Sequence, residues 1–257
     1  MNGFYAILKK ELLEAVRSKK LIILFSIFAF LALASPISAK LLPIILKSMP
    51  ATPGLTITIP DPTWRDAIDQ FVKNLTQLVA LVLIFLFAGA ITEERSKKTL
   101  EMVISKPISR TSFVLAKFIA NAIALKTFFI LSALTFYLYT KSIFGDFSLP
   151  NFIWLCLFLL IFLILIQTST IFLSTVSGNQ IIAVGVSFLL FILFSTLFEY
   201  IKPLSSYSPS FVLGHYKDLM ETGQIANFLR PAFASLSLSI FFIAWALTYF
   251  KKQEIER

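Results

Sequence analysis

The chain has 257 residues, 57% apolar and only 14% charged, with a mean hydropathy of +0.83; a soluble domain carries about 25% charged residues, so this is an integral membrane protein. Its net charge of +9 does not indicate nucleic-acid binding, because the basic residues fall in gaps between apolar runs and form no continuous face. One cysteine, Cys156, excludes an internal disulfide, and one histidine, His215, leaves no material for a His/Cys metal site.

Residues 4–16 place Phe4, Ile7, Leu8, Leu12, Ala15 and Val16 at helical spacing on one face and Lys9, Lys10, Glu14 and Arg17 on the other. A short helix with a basic face and an aromatic on its apolar side lies flat in the headgroup region, so residues 1–20 read as an amphipathic interfacial "elbow". A bilayer core of about 30 Å takes about 20 apolar residues per helix. That rule marks out roughly six spans, Leu21–Ala39, Leu75–Ile91, Phe118–Thr140, Phe152–Thr175, Ile181–Phe198 and Pro231–Phe250, the second and fifth being short. They do not alternate as barrel strands do, and backbone groups in lipid must be satisfied within each segment. The fold class is therefore an all-α integral membrane protein: six transmembrane helices over 21–250, an N-terminal interfacial elbow and a tail at 251–257. Lys19-Lys20 followed by LIILFSIFAFLALA and SPISAK has the outline of a cleaved signal peptide. The patterned helix before it and the apolar residues that continue to Leu46 favour a retained first span.

Between the first two spans, the loop at 40–74 contains LTITI (Leu55–Ile59), which alternates like a short strand. Thr63 and Asp66 form a capping box for a helix carrying Trp64, Ile68, Phe71, Val72 and Leu75 that should run into the second span. Asp61, Asp66 and Asp69 read as capping and solvating residues rather than a cation site. The second outer loop, 200–230, should hold a helix that starts at Ser208 and Pro209 and stops at Gly223.

The segment at 93–112 is different. It is charged, it is about twice as long as a simple reversal needs, and it holds a helix with the narrow apolar stripe Leu100, Val103, Ile104, stopped by Pro107. Such a stripe is unfavourable in water and favours docking on protein over lying on the membrane surface like the N-terminal helix. Lysines and arginines are densest in the elbow, in this loop and in the tail, which places all three in the cytoplasm of a plasma-membrane protein.

In this loop the chain resembles the type-2 permease family of ATP-binding-cassette transporters. The matching residues are Glu94, Thr99-Leu100-Glu101, Pro107-Ile108-Ser109-Arg110 and Lys117, with Lys10-Glu11-Leu12 and Arg17-Ser18-Lys19 near the start. The match departs where the family often has glycine before the threonine-leucine pair; Lys98 stands there. The resemblance implies that 93–112 is a coupling helix seated in a separate ATPase subunit, which binds ATP and Mg. The working unit would pair this protomer with a second copy or a relative. Glu93, Glu94, Thr99, Leu100, Glu101, Val103, Ile104, Pro107 and Arg110 would make the docking contacts. The inner loop at 176–180 could touch the same partner. The chain has no GxxxxGK[ST], so no ATP site of its own is expected, and no catalytic constellation faces inward.

For a translocation pathway the candidates are Lys126 in the third span, which is also placed to snorkel to the cytoplasmic headgroups, and Ser187, Ser195 and Thr196 in the fifth. The rest of the second and fifth spans is apolar, which suits a lipid-like or amphipathic cargo. Competing readings are an ATP-independent secondary transporter or channel, which calls for broken helices, charged pairs and internal repeats, and a non-transporting scaffold.

Overall fold

The computed structural model describes residues 2–48, 61–98, 109–197 and 201–252. Among these residues every regular element is helical: α1 (Asn2–Arg17), α2 (Lys20–Ser48), α3 (Trp64–Asn74), α4 (Ala80–Ser96), α5 (Arg110–Phe144), α6 (Leu149–Val176), α7 (Gln180–Ile192), α8 (Lys202–Ser205), α9 (Phe211–Thr222) and α10 (Ala226–Lys252). Five helical stretches are long and apolar enough to cross a membrane: Lys20–Ile45, Trp64–Ser96, Arg110–Phe144, Leu149–Val176 and Ala226–Lys252. The expected fifth span is instead a shorter apolar helix, Gln180–Thr196. At 1.5 Å per residue it reaches about 26 Å, less than the bilayer core. The alternating segment Leu55–Ile59 lies outside the described residues.

Local chemistry sets the helix starts and stops. Asp66 reaches back to the backbone N–H and the hydroxyl of Thr63 (2.8 and 3.1 Å), the reciprocal cap expected for α3. Ser109 accepts the Ser112 N–H at the start of α5 (3.1 Å), and Asn179 accepts the Ile181 N–H at the start of α7 (2.9 Å). Gly223 ends α9 at φ +67, a left-handed conformation that favours glycine. The N-cap of α9 is Ser210, two residues beyond the expected Ser208. Ser208 accepts the Ser210 N–H (3.3 Å), forming a serine turn that delays the helix.

The expected continuity of the second span holds, with one refinement. α3 passes into α4 through a π turn at Leu75–Val79, so Trp64–Ser96 forms one continuous helical stretch. Asn74 beside the turn donates to Ser35 on α2 (2.9 Å). α2 itself runs through Pro36 and Pro43. Pro36 cannot supply an amide to the Ala32 carbonyl, and one residue earlier the Ser35 hydroxyl donates to the Leu31 carbonyl (2.6 Å).

Two groups of contacts define the ends of the bundle. Glu11 bonds Lys117, and Phe113 stacks on Phe250 (5.9 Å), so α1, the start of α5 and the end of α10 share one end, the inner end in the orientation expected from the charges. At the outer end Asp69 accepts the Tyr216 hydroxyl and pairs with Lys217 (3.3 Å), while Arg65 pairs with Glu221 (2.9 Å). These contacts hold α3 against α9. Asn151 at the start of α6 donates to the Met220 carbonyl (3.0 Å). Under them lies an aromatic knot in which Phe71 stacks on Phe136 (4.1 Å) beside Phe152. Phe71 is fully buried. Phe71→Ala should cost about 3–5 kcal/mol of stability, read as a lowered unfolding midpoint in detergent.

Candidate functional site

The inner end holds a buried ionic cluster that draws on three helices. Lys117 is an ammonium inside the apolar run of α5, 4% exposed, with Phe113 and Phe118 around it. Burying such a charge is costly unless it is paired. Lys117 Nζ donates to Glu94 Oε1 of α4 (2.8 Å) and to Glu11 Oε2 of α1 (3.0 Å), both carboxylates being 8% exposed. Lys10 reaches in from the surface to Glu11 (3.2 Å), Glu14 (3.0 Å) and Glu94 (3.4 Å). Burial lowers the Lys10 pKa, but the surrounding carboxylates more than offset it and hold Lys10 well above the usual lysine value. For Glu14 burial works upward, and the Lys10 ammonium with its hydrogen bond outweighs it, leaving the carboxyl below 4.5.

A second junction ties α4 to α6. The Arg95 guanidinium donates to the carbonyls of Ser177 (2.9 Å) and Thr175 (3.1 Å), which the end of α6 leaves without intrahelical partners. Its charge also suits the negative end of the helix. One turn further in, the Ser174 hydroxyl accepts from the N–H groups of Ile91 (2.9 Å) and Thr92 (3.3 Å). Thus α1, α4, α5 and α6 are joined at the level where α4 runs out towards residue 99.

The helix α4 ends on a left-handed residue. Lys98 has φ +55, and its N–H donates to the Arg95 carbonyl (3.1 Å). This is the position where the resemblance called for glycine, and the backbone has the conformation that glycine adopts at least cost.

The structure separates the sequence-predicted docking residues. Glu94 is turned inward to Lys117. Glu93 pairs at longer range with Lys20 (3.6 Å) and Lys97 (3.7 Å). Arg110 is the first residue of α5. Thr99, Leu100, Glu101, Val103, Ile104 and Pro107 lie outside the described residues. Of the pathway candidates, Lys126 is exposed on α5. Ser187 is buried on α7, its hydroxyl without a hydrogen-bond partner among the described residues. Ser195 and Thr196 lie in a π turn at Leu193–Leu197, and both donate to the Ile192 carbonyl (3.3 and 2.7 Å).

Two roles are new relative to the sequence reading. Glu11 is an acid in the middle of an apolar helix face, flanked by Ile7, Leu8 and Ala15, which is the signal of a buried partner across the interface. Arg95 is one of several charges in the segment at 93–112; its distinguishing feature is proximity to a helix C-terminus that is remote in sequence.

A bundle of long apolar helices with an ionic cluster at one end is the architecture of a polytopic membrane protein. Residues 5–232 match the family described as "ABC-2 family transporter protein", and the chain belongs to that family. It is also similar to a Bacillus subtilis (strain 168) protein described as "Uncharacterized transmembrane protein YxlG", 25% identical over 154 residues. That match spans 59% of this chain and 59% of the relative, less than two thirds of its length.

Three outcomes are expected. Lys117→Met leaves two buried carboxylates with only the half-exposed Lys10 beside them and should cost about 3 kcal/mol, whereas Lys117→Met with Glu11→Gln and Glu94→Gln should recover much of the loss in a thermal melt. Lys98→Gly exchanges a left-handed penalty of about 1–2 kcal/mol for a smaller gain in unfolded-chain entropy, so it should stabilise by up to about 1 kcal/mol. Because the Glu14 carboxyl is lowered in the folded state, its contribution is present above pH 4.5 and is lost as pH falls through the folded value. The melting difference between wild type and Glu14→Gln should therefore be present at pH 7 and shrink on acidification.

Proposed function

We propose that this chain is the membrane half of an ATP-driven exporter, taking its energy from a separate ATPase subunit that binds ATP and Mg. The observation that carries this reading is the ionic cluster. It clamps α1, α4 and α5 on either side of the segment 99–108, so a force applied to that segment reaches three helices at once. In the proposal Leu100, Val103 and Ile104 fill a cleft of the ATPase, with Glu93, Glu101 and Arg110 at its edges. Glu94 acts behind that surface as the internal anchor.

ATP-driven closure of two ATPase subunits then moves the inner ends of two permease protomers, and alternating access follows as rigid-body switching. Arg95 and Ser174 extend the moving body to α6. Both termini are cytoplasmic in the plasma membrane, and Gln180–Thr196 makes the sixth crossing despite its length. The apolar spans favour a lipid-like or amphipathic cargo. A stand-alone carrier or channel is less well supported, because the buried charges sit at the inner end, beside α1, rather than in a site spanning the midplane.

Affinity purification of the tagged chain from its own membranes should bring down an ATP-hydrolysing subunit. Leu100→Asp or Glu101→Arg should abolish that association while leaving the chain's unfolding midpoint unchanged. Transport by the purified chain alone in liposomes, without ATP, would contradict the proposal.

A further inference from the structure

The ionic cluster forms the floor of a cleft of about 170 Å³ between α1, α4 and α5. The cleft has a polarity gradient. At its inner rim stand Glu14, Lys20, Glu93 and Lys97, and further along α4 its wall is Leu86, Phe87 and Ala90. From Leu86 to Lys97 the helix rises about 17 Å, the depth over which a bilayer passes from headgroup to acyl chain. α1 beside it bares Tyr5, Leu13 and Val16, as a helix lying in that boundary layer does.

The charges define what could enter. The lining holds four carboxylates (Glu11, Glu14, Glu93, Glu94) and three ammoniums (Lys20, Lys97, Lys117), and Lys10 adds a fourth from outside. With the balance at zero, a ligand of net charge gains little, whereas one carrying both signs can meet both. The floor pairs at Lys117 are tight, at 2.8 and 3.0 Å. At the rim Glu14 holds Lys10 at 3.0 Å, but the Glu93 pairs are loose: Glu93 stands 3.6 Å from Lys20 and 3.7 Å from Lys97, beyond the usual length of a charge-assisted hydrogen bond. Gly89 gives the Glu93 carboxylate its room. A Cβ at that position would lie 2.2 Å from Glu93 Oε1, so any other residue would displace the carboxylate.

We infer that this cleft binds a zwitterionic phospholipid headgroup, its ammonium on Glu93 and Glu14, its phosphate on Lys20 and Lys97, and its acyl chains along Leu86 and Phe87. The inference needs only that the chain sits in a bilayer; it stands or falls separately from the coupling role.

The test is native mass spectrometry of the full chain released from bilayers of equal phosphatidylethanolamine and phosphatidylglycerol, with soluble O-phosphoethanolamine added in a second arm. Wild type should retain phosphatidylethanolamine over phosphatidylglycerol by about tenfold, the effect of one well-made charged contact. Glu93→Gln should bring the ratio close to one, and Gly89→Ala, which changes no charge, should lower it as well. Equal retention of the two lipids by wild type, or an unchanged preference in both variants, would overturn the inference. Retention of O-phosphoethanolamine without any lipid would overturn the phospholipid assignment.

Discussion

The inner half of this protein is organised by one ammonium. Lys117 sits in an apolar helix and can be accommodated only because two other helices each bring it a carboxylate, Glu11 from α1 and Glu94 from α4. A buried ion pair contributes little net stability compared with a well-packed apolar contact, because desolvation consumes most of the Coulomb gain. What it does supply is a single permitted register. If α1 slides by one residue, Glu11 leaves Lys117, and the two charges remain buried without each other. The interfacial helix, which lipid alone would hold loosely, is thereby fixed to the bundle at one point.

From that point the structure reads as a long lever. Trp64–Ser96 is one helical stretch, about 50 Å at helical rise. Its inner end is held by Glu94, Arg95 and the hydroxyl of Ser174, and its outer end by Asp69 and Arg65 against α9. Between the two lies the π turn at Leu75–Val79, one of the recognised places where a helix departs from a straight course. The outer contacts are partly exposed and each contributes little alone; the aromatic stack of Phe71 on Phe136 beneath them supplies the main packing there. In the proposed mechanism, motion applied at the inner end would meet this packed outer end, with the π turn between them.

Much of this was legible in the residues. The lengths of the apolar runs gave the long spans, Thr63 and Asp66 announced the start of α3, and Gly223 announced the stop of α9. The shorter length of the fifth span was visible in its run of apolar residues. The π turns were not, since an extra residue in a helical turn leaves no mark on composition or period. The resemblance pointed at Glu11, Glu94 and Lys117 one by one, but nothing in a linear sequence says that positions 11, 94 and 117 meet. Glu94 therefore reads as a docking residue from its place in the loop, and its contact with Lys117 appears only in three dimensions. Arg95 was obscure for the same reason: its partners, the carbonyls of Thr175 and Ser177, are backbone groups without a side-chain signature. Lys98 is the opposite case, because the departure from glycine already marked the place where the backbone turns left-handed.

The central claim is that α1 and α5 move as one body because Lys117 joins them. It is tested most directly by the distance between spin labels at Lys9 on α1 and Ile123 on α5, both exposed, in a Cys156→Ser background with the proposed ATPase subunit bound. The account predicts one narrow distance distribution, the same without nucleotide and with ATP. A nucleotide-dependent shift of several ångströms, or a second population that appears with ATP, would contradict it.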